Sequence, residues 1–365
     1  MFYIILSILL ITAEILVYIF SKDTTKIVFK PKPKIIPFVG GNATVLWPND
    51  LSSEVAGAGC GVAVFNNGDI LYLQRVGYSF FNQELIPDPV VFRIDPISGL
   101  VKSKWGGNFF AAPHSITTDS QNNVWISDTS LNKVFKFDID GKLLLTVGRD
   151  YSSLRLFMQK MRVKWPRFPS FKNPYYFAMP TGIVVSKNGD FTVADGYKNS
   201  RIVKFDANGK FIWQVNKKGS GNKAFNLTHG ITQDDQDNIY VADRSNARIQ
   251  KFSKNGEWLD TWDNNDLGRP FSLQVGPDQL LYVVDGGDVL ETRGKDTDPR
   301  SQIIIMTLKG EILKRWGVYG SKLGELMIPH DVAVAKNGNI FVAELKGNRL
   351  QKFEINQLKN ETIDI

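Results

Sequence analysis

Cysteine and histidine are nearly missing from this 365-residue chain, which has one of the former and three of the latter. With Cys60 alone no intrachain disulfide can form, which excludes the cross-linked secreted scaffolds that cysteine-rich chains build. Excess charge is scarce as well: 44 Lys and Arg against 37 Asp and Glu leave +7, a weak case for nucleic-acid binding at this length. A long apolar run occurs once, from Met1 to Phe20, near the roughly 20 residues a helix needs to span a bilayer. It has neither a basic n-region nor a small-x-small cleavage site, which favours an uncleaved anchor helix over a cleaved signal segment. Residues 1–22 are therefore read as anchor or signal segment, 23–35 as a basic linker, and the membrane as a partner through residues 1–20. Lys22, Lys26, Lys30, Lys32 and Lys34 follow the run, and the positive-inside rule would keep what comes after them cytoplasmic. Charge alone thus leaves the topology open; the expected placement of the main domain is membrane-anchored and extracytoplasmic.

What the chain does have is an internal repeat. Six units open on a small or apolar step: Cys60-Gly61-Val62-Ala63, Pro113-His114-Ser115-Ile116, Pro180-Thr181-Gly182-Ile183, Thr228-His229-Gly230-Ile231, Pro270-Phe271-Ser272-Leu273 and Pro329-His330-Asp331-Val332. A polar turn follows each opening, clearest in Asn66-Asn67-Gly68-Asp69, Lys187-Asn188-Gly189-Asp190 and Lys336-Asn337-Gly338-Asn339. Asn-Gly between apolar stretches predicts a hairpin in which both residues accept positive φ. Second strands end on an acid, as in Phe191-Thr192-Val193-Ala194-Asp195, and third strands read like Arg201-Ile202-Val203-Lys204-Phe205. Four short strands in each of six units predict an all-β, six-bladed β-propeller, in which radial repetition protects the sheet edges. The repeat resembles the NHL repeat, whose usual form is P-x-G-I-x-V-x-x-x-G-x-I-Y-V-A-D-x-x-N-x-R-I-x-K-F. The propeller should run over 36–353, with an insertion at 149–177 and a polar tail at 354–365.

The insertion mixes Arg155, Lys160, Arg162, Lys164, Arg167 and Lys172 with aromatic residues from Phe157 to Tyr176. The expected role is a loop that packs its aromatics on the propeller rim; an anionic membrane surface is the functional alternative. Asp128, Asp195, Asp243 and Asp285 recur whether or not a unit carries histidine, which marks them as scaffold.

The histidines are not scattered. All three occupy one repeat position, in a ring of Cys60, His114, Thr181, His229, Phe271 and His330. Innermost strands of a propeller line its channel, so alternate units two, four and six should bring three imidazoles together about 120° apart. Three neutral nitrogen ligands with an open fourth position make Zn²⁺ the default metal, acting as a Lewis acid or acidifying a bound hydroxyl. Cys60 shares the ring and is read as a small buried residue.

Pro113-His114, Asp195-Gly196-Tyr197-x-Asn199-Ser200-Arg201-Ile202, Ala242-Asp243-Arg244-x-Asn246-x-Arg248-Ile249-Gln250 and Pro329-His330-Asp331 resemble peptidyl-α-hydroxyglycine α-amidating lyase over nearly the whole propeller. The resemblance implies a zinc lyase that cleaves the N–Cα bond of a C-terminal α-hydroxyglycine, giving a peptide amide and glyoxylate. It implies His114, His229 and His330 as zinc ligands and Tyr197 as the base. It further implies Arg75 and Arg244 as active-site arginines, and a structural calcium on Asp331 and the backbone carbonyls of Val62 and Ile116. The substrate is expected to be a peptide or small amide, with no nucleic acid involved, and the protein a monomer. Lys198 stands where the animal enzyme has a disulfide cysteine, and Ile328 where the family has methionine. No counterpart of the monooxygenase domain that makes the lyase's substrate is in this sequence. Two other readings stay open: a non-catalytic NHL binding or sensor protein whose metal is structural, which a coordinated Cys60 would favour, and a metal-dependent lactonase.

Overall fold

The computed structural model describes residues 43–46, 57–152, 154, 157, 173–263, 266–287 and 300–353. They form six four-stranded antiparallel sheets, one per repeat. Blade 1 is built from Gly59–Val64, Ile70–Gln74, Val91–Ile94 and Val101–Trp105, and blade 2 from Pro113–Thr118, Val124–Asp128, Lys133–Phe137 and Leu143–Val147. Blade 3 comprises Gly182–Val185, Phe191–Asp195, Arg201–Phe205 and Phe211–Asn216; blade 4, Thr228–Gln233, Ile239–Asp243, Arg248–Phe252 and Trp258–Trp262. Pro270–Val275, Leu281–Asp285, Gln302–Met306 and Ile312–Trp316 make blade 5. Blade 6 takes three strands from the end of the propeller, Pro329–Val334, Ile340–Glu344 and Arg349–Phe353. Its outer strand is Ala43–Leu46, from the other end of the domain, with Ala43 opposite Phe353 and Leu46 opposite Gln351. The chain is therefore an all-β, six-bladed propeller whose ring is closed by pairing its two ends.

The hairpin turns differ from the expected form. Only the glycine takes positive φ, as in Gly68, Gly189 and Gly338. The asparagine instead uses its side chain: Asn67, Asn188 and Asn337 each accept the N–H of the residue two positions on, at 3.0–3.1 Å. These are Asx turns, the local bond that makes asparagine favourable there without a left-handed backbone.

The recurrent acids hold the frame. Asp195, wholly buried, accepts from the Ala178 N–H and from Arg201 Nε at 2.7 and 2.8 Å; Asp243 does the same for Asn226 N–H and Arg248 Nε at 2.9 and 2.8 Å. Glu344 substitutes in blade 6, binding Met327 N–H and Arg349 Nε. Each acid ties the incoming inter-blade segment to its own blade, and its paired arginine offsets the burial of charge. Apolar faces of neighbouring blades pack between these ties, as where Leu71 and Leu73 of blade 1 share one buried cluster with Ile126 and Phe135 of blade 2.

Within the described ends of the insertion, Phe177 is buried in blade 3 and the Tyr175 hydroxyl accepts the Phe211 N–H at 3.1 Å. The expected segments 1–22, 23–35 and 354–365, and most of the basic aromatic stretch at 149–177, lie outside the described residues. Among the described residues no helix is long and apolar enough to cross a membrane.

Candidate metal centre and active site

A β-bulge delivers the histidines to the axis. In blade 2, Pro113 pairs with Asp128 and Ser115 with Ser127, so His114 is an extra residue with no partner across the ladder. The same slip frees His330 between Pro329 and Asp331, Cys60 between Gly59 and Gly61, and Phe271 between Pro270 and Ser272; in blade 4 it falls between Thr228 and Ile231. A bulged residue leaves the pleat and its side chain is re-aimed. Here the new direction is the central channel, which these ring residues line.

His114, His229 and His330 meet there as a nearly equilateral group. Ring centroids lie 4.8, 4.8 and 5.0 Å apart, and all candidate ligand atoms are within 4.8 Å of one another. Each imidazole is fixed by the carbonyl of the ring residue on a neighbouring blade. His114 Nδ1 donates to Thr181 O at 2.8 Å, His229 Nδ1 to Phe271 O at 2.6 Å and His330 Nδ1 to Cys60 O at 2.8 Å. A carbonyl only accepts, so Nδ1 carries the proton in all three and Nε2 keeps its lone pair. The ring positions without histidine thus supply the backbone acceptors that orient the ones with it, the outer-shell arrangement common to metal-binding imidazoles.

Burial first, then the charges of neighbouring histidines and of Arg75 and Arg244, holds His114 and His229 well below the ordinary value of 6.5; His330 is brought to about 3. All three imidazoles are neutral at pH 7. The Tyr197 hydroxyl lies 3.1 Å from His114 Nε2 and 3.0 Å from His229 Nε2. It has one proton to offer two lone pairs, and His330 presents a third. Converging neutral donors with surplus lone pairs fit a cation, and three imidazoles fit a borderline metal with a position left open.

Gly196 brings Tyr197 close. A Cβ at Gly196 would sit 1.5 Å from the Thr228 carbonyl oxygen, so only glycine lets the chain pass there. Phe80, from the loop after blade 1's second strand, packs on the Tyr197 ring at 4.8 Å and on His114 at 5.9 Å. Arg75 and Arg244 stand on blades 1 and 4, opposite each other in a ring of six. Arg244 lies 4.1 Å above the ring of Phe271, itself 5.3 Å from His229. Arg75 is 5% exposed; its guanidinium makes one long bond, 3.4 Å from Nη1 to Pro113 O, while Nε is buried with no acceptor.

Asp331 follows His330 along the channel. Its carboxylate accepts the Val62 N–H at 2.9 Å, Ser272 Oγ at 2.6 Å and the Val332 N–H at 3.0 Å, and burial pushes its pKa up to about 7. Val62 therefore meets Asp331 through its N–H; Ile116 lines the same channel. Cys60 does not join the metal-competent group: its thiol points to Leu73 O at 3.5 Å, and burial raises it to about 12. Ile328, two residues before His330, holds φ at 53°, an unusual conformation for a β-branched side chain.

The NHL repeat family matches residues 177–205, 225–252 and 326–353, in blades 3, 4 and 6. Peptidyl-alpha-hydroxyglycine alpha-amidating lyase 2 of Drosophila melanogaster is 31% identical over 79% of this chain, and peptidyl-glycine alpha-amidating monooxygenase B of Xenopus laevis 30% over 76%. The chain is an NHL-repeat propeller homologous to the amidating lyases. It spans 63% of the fly protein's length and 30% of the frog protein's. A gluconolactonase from Xanthomonas campestris superposes with a TM-score of 0.54 at 12% identity, covering 89% of this chain and 98% of its own, a likeness of fold alone.

Several site features of this NHL propeller were not anticipated: the bulges, the three carbonyl acceptors, and the aromatic partners Phe80 and Phe271. The bulges have a signal in the sequence, since each falls within or beside a Pro-x or Gly-x step opening an inner strand. Phe80 has none, because it lies in a long connection between strands, outside the repeated strand pattern.

Proposed function

We propose that the chain is a zinc-dependent carbon–nitrogen lyase that splits a C-terminal α-hydroxyglycine, or a similar carbinolamide, into an amide and glyoxylate. The observation that carries this reading is the Tyr197 hydroxyl held within 3.1 Å of two Nε2 atoms of a three-histidine group, beside a buried and undersatisfied Arg75. His114, His229 and His330 would hold the zinc, which supplies Lewis-acid polarisation of a hydroxyl.

The chain's own residues account for the rest. Tyr197 accepts the substrate's hydroxyl proton as the C=O bond forms and the N–Cα bond breaks; the proton then passes to the departing amide nitrogen. A phenol's ordinary pKa is about 10, so the base form needs cations nearby. Arg75 and Arg244 supply two. The guanidinium of Arg75 also suits the carboxylate that becomes glyoxylate's, since a planar fork with a spare Nε–H can bind it in two places. Arg244, fixed over Phe271, opposes negative charge from the other side. Asp331, a buried carboxylate with no cation among its nearest interactions, suits a structural calcium shared with the carbonyls of Val62 and Ile116.

The alternative is a binding or sensor propeller with a structural metal. Structural zinc takes four protein ligands. Cys60, turned to Leu73 O, does not supply the fourth, which favours an open position and hence catalysis. The test is to quantify zinc and calcium in the purified protein and to measure glyoxylate released from an α-hydroxyglycine-extended peptide. Zinc-loaded, folded protein that releases none overturns the lyase reading.

A further inference from the structure

The loop that carries Phe80 reaches from the reacting groups to solvent. Tyr197 packs on Phe80 at 4.8 Å, and Phe80 packs on Phe81 at 5.0 Å, edge to face. Phe80 is half-buried and Phe81 is 68% exposed, with Tyr78, also exposed, on the same loop. The three aromatics belong to a segment that is tied down. Asn82 Nδ2 donates to Ala111 O at 3.1 Å and to Glu84 O at 2.7 Å, Gln83 Nε2 to Ser130 Oγ at 3.1 Å, and the Ile86 N–H to Phe110 O at 2.7 Å. A phenyl ring left 68% exposed beside the site, packed on Phe80, is already ordered for a ligand.

We propose that Phe80 and Phe81 form the subsite for the acyl group of the substrate, the residue preceding the α-hydroxyglycine, and that they select an aromatic or large apolar side chain there. The inference rests on the lyase reading for the substrate's identity and on geometry for its direction. The carboxylate belongs at a guanidinium and the hydroxyl-bearing carbon at the Tyr197 hydroxyl. The third substituent, the acyl amide, cannot pass into the channel, because the three imidazoles on which Tyr197 sits cross the axis with ring centroids only 4.8–5.0 Å apart. It leaves by the mouth, along Phe80 and then Phe81.

The test uses two unreactive ligands that differ only in the acyl group, N-benzoylglycine and N-acetylglycine, titrated calorimetrically into the zinc-loaded full-length protein. An aromatic contact of the usual strength predicts that the benzoyl compound binds about three- to tenfold more tightly. Phe81→Ala, which leaves the ring on Tyr197 in place, should bring that ratio most of the way to one, and Phe80→Leu should lower it further. A ratio near one in the wild type, no binding of either compound, or a ratio untouched by both substitutions overturns the proposal. If Phe80 only positions Tyr197, Phe80→Leu weakens both ligands equally and the ratio survives, which also overturns it. Failure of the lyase reading is separate: N-benzoyl-α-hydroxyglycine would release no glyoxylate while the binding ratio and its loss in Phe81→Ala remained.

Discussion

Replacing Arg75 by methionine should make the unliganded protein more stable and the liganded protein less so. Arg75 is 5% exposed, leaves a buried Nε–H without an acceptor, and has as its described contacts a 3.4 Å bond to Pro113 O and a 5.7 Å approach to the Phe80 ring. A buried unsatisfied donor costs about 1–3 kcal/mol, and the cation–π contact returns about 0.5–1 kcal/mol. Methionine fills much of the same volume without either. The net gain is on the order of 1 kcal/mol, a rise in Tm of roughly 1–2 °C for a domain of this size. Carboxylate ligand reverses the order. At about 100 times its Kd, glyoxylate should stabilise wild type by about 2.7 kcal/mol and leave Arg75→Met where it was. Differential scanning calorimetry with and without glyoxylate reads both effects. A variant that melts lower than wild type without ligand, or that glyoxylate stabilises equally, would show that Arg75 is a structural cation and not an anion receptor. Arg75 also depresses His114 and His330, so the variant should start to lose metal at a higher pH.

Tyr197→Phe should retain wild-type metal content while turnover falls about 10²- to 10⁴-fold, the usual weight of a general base; unchanged turnover would remove Tyr197 from that role. His229→Ala should lose stoichiometric zinc as measured by atomic absorption, and activity that survives it would contradict a three-ligand site. The metal-free protein should lose stability as pH falls from about 6.5 towards 3, because three imidazoles held neutral in the fold take up protons when it opens. Their combined slope is up to about 4 kcal/mol per pH unit, and denaturant midpoints flat across that window would refute it. Deletion through Leu46 removes the outer strand of blade 6 and should abolish cooperative unfolding followed by circular dichroism; a transition that stays cooperative would show that this pairing does not hold the ring shut.

Much of this was legible in the sequence because a repeat multiplies weak signals. The six openings, the acid ending five of the six second strands and the Arg-x-x-Lys-Phe third strands of blades 3, 4 and 6 mark blade boundaries that no single stretch would have defined. The same repetition placed His114, His229 and His330 on alternate blades. What stayed hidden was not periodic. Ala43–Leu46 is four residues long with no pattern of its own, and its partner is some three hundred residues away. Phe80 and Phe81 sit in a long connection outside the repeated strand pattern. The Asn-Gly pairs mark the turns but not their chemistry, since Asn67 and Asn188 act through the side chain. That His Nδ1 finds its acceptor on the next non-histidine blade is a relation between registers, invisible when each position is read alone.

The pairing of Ala43–Leu46 with Arg349–Phe353 also sets an order of events during synthesis. Five sheets can assemble in turn as the chain emerges, each complete in itself. The sixth must wait, since one of its strands is made first and the other three last. His330 arrives with that late sheet, and its orienting carbonyl, Cys60 O, belongs to the early one. Two histidines are therefore in hand long before the third, and a tight metal complex becomes possible only when the circle shuts. Zinc uptake would then report completion of the fold, and a nascent chain stalled before blade 6 would be left with a cation site it could not yet fill.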